Sequence, residues 1–147
     1  MTLLVVGLDG SPGGEKAVQH ARSLIKPEAG DSLKLVYVIE WSPFSFQTAE
    51  ENAARHKRRE EEIAVAQERV LAPALEALKA KGVAADGVVR HGDAAEILDE
   101  IADEAGAAGI VIARSSASGL RSRLFGSVAA NLVMNARVPV TVVPVSA

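Results

Sequence analysis

Leu3-Leu4-Val5-Val6-Gly7-Leu8-Asp9-Gly10-Ser11-Pro12-Gly13-Gly14 changes its period partway through, and that change decides how the rest of the chain is read. Its first half is continuous in leucine and valine without polar alternation, the pattern of a strand covered on both faces. Ser11-Pro12 then joins a capping hydroxyl to a proline at the first helical position. Beyond it, Ala17, Val18, Ala21, Leu24 and Ile25 form one apolar stripe at helical spacing. A covered strand that passes through a short turn into an amphipathic helix is the opening of a βα unit in a parallel sheet.

The same alternation continues to the end of the chain. Further apolar runs lie at Leu33–Ile39, Val83–Val89, Gly109–Ala113 and Val138–Val145. Helical patterns fill the gaps between them. Asp93-Ala94-Ala95-Glu96 reads as a capping box before Ile97, Leu98 and Ile101, and Ser127 reads as the start of a final helix carrying Val128, Leu132 and Val133. The longest gap, from about Thr48 to Lys81, has a stripe of Ile63, Ala66, Val70, Leu71, Leu75 and Leu78, which Pro73 must kink or divide. Arg55-His56-Lys57-Arg58-Arg59-Glu60-Glu61-Glu62 sets basic residues one turn from acidic ones, which predicts i,i+4 pairing on a solvated face rather than a nucleic-acid patch. No linker or repeat divides the chain, so residues 1–147 are expected to form one doubly wound α/β domain. Five parallel strands, winding outward both ways from the first, take the order 3-2-1-4-5, with helices on both faces.

Bulk composition excludes several classes. The 147 residues carry a net charge of −3, too acidic for non-specific binding to phosphate backbones. No cysteine is present, which removes disulfides, thiolate catalysis and cysteine metal sites. No run reaches the about 18 apolar residues of a membrane span, and the N-terminus lacks a basic leader, so a cytoplasmic, soluble protein is expected.

In an open parallel sheet, ligands bind beyond the carboxyl ends of the strands where the winding reverses. The loops after the first and fourth strands are therefore the candidates. The second of these, from Ala113 to Ser127, is small and polar, holds Arg114, Arg121 and Arg123, and leads into a helix. Backbone N–H groups and cations together make an anion site there, although the same composition also suits a plain surface loop with tight turns.

Several stretches together resemble the universal stress protein family. Strand one with Asp9-Gly10-Ser11, then Gly92-Asp93-Ala94-Ala95-Glu96-Ile97, then Ile110-Val111-Ile112 through Gly126-Ser127-Val128, and the closing Val138–Val143 are similar to that family in order and spacing along the whole chain. The resemblance implies an adenine nucleotide alpha hydrolase-like fold and a non-enzymatic stress-response protein, a weak ATPase at most. It implies Asp9 at the ribose edge, Val38 against adenine, and Gly126, Ser127 and Val128 on phosphates, with ATP or AMP as the possible ligand. Nucleotide-binding members carry G-x-x-G, nine residues, then G-[ST]. Gly126-Ser127 matches the last pair, but Ala113 and Ser116 stand at the two earlier glycines. A Cβ at each narrows the phosphate entrance and makes positive φ costly, which argues for weak ATP binding. Arg114, Arg121 and Arg123 lie outside the family pattern and serve either as compensating anion contacts or as solvated charges.

Rival readings have less support. Gly7, Gly10 and Gly13 are spaced G-x-x-G-x-x-G, not the dinucleotide G-x-G-x-x-G, and no phosphate-binding G-x-x-x-x-G-K-[ST] exists. A receiver domain needs an aspartate after strand three and a lysine after strand five, where this chain has Arg90-His91 and Pro144-Val145. Ser11-Pro12-Gly13-Gly14-Glu15-Lys16 faintly echoes the S-G-G-x-D-S of ATP-pyrophosphatase-type adenylating enzymes, the alternative from a different class. His20, His56 and His91 lack metal-ligand spacing and read as surface or strand-end residues, so neither a metal site nor a catalytic centre is expected. Tyr37, Trp41, Phe44 and Phe46 cluster around the end of strand two, either as a satellite cluster or as a lid or partner contact. Val140, Thr141, Val142 and Val143 form an apolar edge without charge, which predicts a homodimer through antiparallel pairing of this strand. The resemblance points the same way and leaves room for a small anionic ligand or a protein client.

Overall fold

A computed structural model describes residues 1–8, 12–40, 49–114 and 120–144, with side chains except at 12, 40, 49–53, 55 and 120–127. Strand β1 (Leu3–Leu8) leads into helix α1 (Pro12–Leu24), opened by the proline of the first βα turn, while Ser11 lies outside the described residues. Then follow β2 (Ser32–Glu40), α2 (Ala49–Ala66), a π turn over Gln67–Leu71, and α3 (Ala72–Ala80). The chain continues through β3 (Ala84–Gly92), α4 (Ala94–Ala105), β4 (Gly109–Arg114), α5 (Leu120–Asn135) and β5 (Val140–Pro144).

Every strand pairing is parallel, and the sheet order is β3-β2-β1-β4-β5. That is the order expected from winding outward on both sides of the first strand. Two apolar layers hold it together. Leu4, Val6, Leu33, Leu35 and Val111 face Ala17 and Ala21 of α1, Ala66 of α2 and Leu78 of α3. On the opposite face Val5, Val36, Ile110 and Ile112 meet Leu98 and Ala102 of α4 and Leu132 of α5. The continuous valine–isoleucine runs have this cause, since alternate residues of one strand serve different layers.

Local chemistry fixes the joints. Asp93 caps α4, its Oδ1 accepting the Glu96 backbone N–H at 2.9 Å. Gly106 ends the same helix at φ 66°, the left-handed conformation that a Cβ disfavours. Pro73 divides the long helical stretch as expected. A proline has no N–H to return to the carbonyl four residues back, and the preceding turn widens to π geometry. Asp31 ties the sheet's start to the α1–β2 connection by accepting from the Thr2 N–H at 2.7 Å and the Lys26 N–H at 2.8 Å. Arg137 joins α4 to the approach to β5 through Asp99 at 3.2 Å and Asp103 at 2.8 Å.

Several boundaries differ from the sequence reading: β3 runs on to Gly92, three residues past Val89, and two others bear on the site and the sheet edge. The last strand begins at Val140 rather than Val138, because Pro139 offers only its carbonyl, which accepts the Ile110 N–H at 2.9 Å. Helix α5 begins at Leu120, so Ser127 does not open it. Leucine and arginine dominate Leu120–Leu124 and are good helix formers, so Gly126 is absorbed into a helix already under way.

Candidate functional site

The topology puts the winding reversal between β1 and β4, which are hydrogen-bonded neighbours with β2 on the other side of β1. The ends of β1 and β4, which the switch-point rule selects, and the end of β2, which the resemblance adds, therefore lie side by side at the carboxyl end of the sheet. Val38, near the end of β2, is 8% exposed and packs in the layer under α4. Ala113, near the end of β4, is 3% exposed and packs in the opposite layer under α1. The two flank the switch point from its two faces, and the Ala113 methyl belongs to the core.

Arg114 follows at the end of β4, exposed and without an ion-pair partner among the described residues. Gly126, Ser127 and Val128 lie inside α5, with Val128 half-buried against the α4–α5 layer. The orphan donors of a helix are its first four N–H groups. In α5 these fall at the turn beginning at Leu120, which contains Arg121 and Arg123, rather than at Gly126-Ser127. Asp9, Ser116, Trp41, Phe44 and Phe46 lie outside the described residues.

The histidines sit where the sequence reading put them. His20 is on the exposed face of α1, and His56 pairs with Glu60 one turn on at 3.1 Å. His91, at the end of β3, meets Glu62 of α2 at 3.1 Å. The first of these contacts bears out i,i+4 pairing within the charged run, and the second ties α2 to the sheet. Among the described residues no group of three or more histidine, aspartate or glutamate side chains is arranged to hold a metal ion, and no helix is long and apolar enough to cross a membrane.

A feature that the sequence reading did not find lies next to the switch point. A cavity of about 390 Å³ opens between α1 and α3, with Leu8 at the end of β1 in its floor. No local motif signals it, because it depends on how far apart two helices sit on the sheet.

Comparison with known proteins gives a family and a fold. The profile of the universal stress protein family matches residues 1–144. The universal stress protein UspA from Lactobacillus plantarum superposes with a TM-score of 0.80 at 17% identity, covering 97% of both chains. A universal stress protein in complex with cAMP matches with a TM-score of 0.62 at 23% identity, over 99% of this chain and 98% of the other. A universal stress protein family protein from Arabidopsis thaliana with AMP bound matches with a TM-score of 0.66 at 14% identity, over 100% and 94%. A search of curated proteins finds no match.

Proposed function

This chain belongs to the universal stress protein family, and on that premise we propose that it is a non-enzymatic, ligand-regulated stress-response protein whose site takes an adenine mononucleotide in preference to ATP. The observation that carries the reading is the convergence of β1, β2 and β4 at the switch point, with Val38 and Ala113 on either side of it. The base and ribose sit between the loop after β1, where Asp9 follows, and the end of β2. The phosphate faces Arg114 and the start of α5, where Arg121 and Arg123 supply charge.

Three considerations favour one phosphate over three. Ser116 replaces one of the glycines that let a backbone close on a triphosphate, whereas the Ala113 methyl is taken up by the core under α1. Helix α5 takes the amides of Gly126, Ser127 and Val128 into its own ladder. Two fold relatives hold AMP and cAMP.

The test is to denature the purified protein, run the supernatant on ion-pair chromatography, and titrate the protein with AMP, cAMP and ATP by calorimetry. Binding of AMP or cAMP at least about tenfold tighter than ATP is expected, and Ser116→Gly should raise ATP affinity. Micromolar or tighter ATP binding by the wild-type chain overturns the preference, and failure of all three nucleotides overturns the site.

The proposal extends to a homodimer through Val140–Val143. Among the described residues strand β5 is at the sheet edge and pairs only with β4, and these four residues are half-buried with no described strand on their outer side. Helix α5 packs on β5 and leaves Val133 and Met134 60% and 80% exposed. Antiparallel pairing about a twofold axis satisfies the edge and covers this apolar surface.

A further inference from the structure

Helix α1 lies over β1 and β4, while α3 lies over β3. The two helices flank a slot instead of packing on each other. Three of the positions they turn toward it are small: Gly14 on α1, and Ala74 and Ala77 on α3. Helical spacing aligns the two walls, since Glu15, Gln19 and Arg22 recur about one turn apart on one side and Arg69, Pro73, Ala77 and Lys81 on the other.

The slot has two kinds of lining. Its floor is apolar, with Leu8 and Leu78 buried and Val18 and Val70 half-buried. Its upper walls hold Arg22, Arg69 and Lys81 against one carboxylate, Glu15, in a chain whose net charge is negative. None of these four charged side chains has a hydrogen-bond or ion-pair partner among the described residues. Three cations around an apolar floor, with a single carboxylate on the same walls that pairs with none of them, leave an excess of positive charge arranged for an anion. The π turn delivers Arg69 and Val70 to this wall, and such turns recur at functional positions.

We propose that the slot between α1 and α3 is a second ligand site, for a small organic anion with a flat or alkyl apolar body. Its volume of about 390 Å³ suits one small molecule and excludes a peptide helix. The apolar body rests on Leu8, Val18, Val70 and Leu78, and the anionic group meets Arg22, Arg69 and Lys81. The slot has Leu8, at the end of β1, in its lining, and the proposed site does not depend on the nucleotide site.

The full chain is titrated with 2-naphthoate and, separately, with its uncharged isostere 2-naphthamide, followed by calorimetry and backbone amide shifts. The expected result is saturable one-to-one binding of 2-naphthoate, with shifts in residues 14–22 and 69–81. The amide should bind at least about tenfold more weakly, and raised salt should weaken 2-naphthoate. Arg69→Glu with Lys81→Glu should lower affinity at least about tenfold, Ala77→Trp should block the slot, and saturating AMP should change nothing. Absence of binding, equal affinity for the amide, displacement by AMP, or undiminished binding to a folded Ala77→Trp variant would each overturn the proposal. The wild-type comparison of acid with amide decides the matter even where a variant fails to fold.

Discussion

A methyl group on Gly7 would stand 2.9 Å from Ile112 Cγ2 and 3.0 Å from Leu98 Cδ1, and both partners are buried. The glycine lets α4 seat closely on β1 and β4. Gly7→Ala should therefore destabilise the fold by about 1–3 kcal/mol, read from the midpoint of urea unfolding at unchanged slope. Asp31 acts through charge instead. The backbone N–H groups of Lys26 and then Thr2 stabilise its ionised form and hold its carboxyl below the ordinary range. A depressed folded-state pKa means that the contribution is fully present above the unfolded value and is lost as pH falls through the folded one. Asp31→Asn should lower the melting temperature at neutral pH, and its gap from wild type should close below about pH 4, where wild type loses the same interaction. A gap that stayed constant with pH would show that the charge is not what matters.

At the scale of elements, the cap of α4 is the cleanest joint to test. Asp93→Ala removes the acceptor for the Glu96 N–H and should cost about 1 kcal/mol, with Asp93→Asn recovering most of it, by the same unfolding measurement. The elements also show what a sequence discloses. Strands β1, β2 and β4 were legible because burial on both faces writes itself as unbroken valine, leucine and isoleucine. The division at Pro73 was legible because a missing N–H is a local fact. The start of α5 was not, because Gly126-Ser127 carries a cap-like pattern while the good helix formers from Leu120 onward outweigh it. Of the candidate site, the strand ends could be placed in advance, since they follow from strand order. That Val38 and Ala113 face opposite layers depends on strand phase relative to the helices. The α1–α3 slot depends on helix spacing, which single residues such as Gly14 and Ala77 do not encode.

For the molecule as a whole, the open question at its edge is what pairs with β5. Val142→Lys puts a charge in the middle of that edge strand, where twofold pairing would bring two such lysines together. Sedimentation of the wild type at micromolar concentration should show a dimer, and the variant should sediment as a monomer with unchanged circular dichroism. A wild-type monomer, or a dimer indifferent to the change, would remove this interface. The opposite situation holds at the sheet's centre. Strand β1 finds its first partner soon, since Leu3 is in register with Ser32, but on its other side Leu4 is in register with Gly109. A nascent chain leaving the ribosome can thus close β1, β2 and β3 under α1 and α3 while the far edge of β1 stays bare until most of the protein has been made. A chain truncated before Gly109 would keep the leucine–valine edge of β1 permanently unpaired on that side.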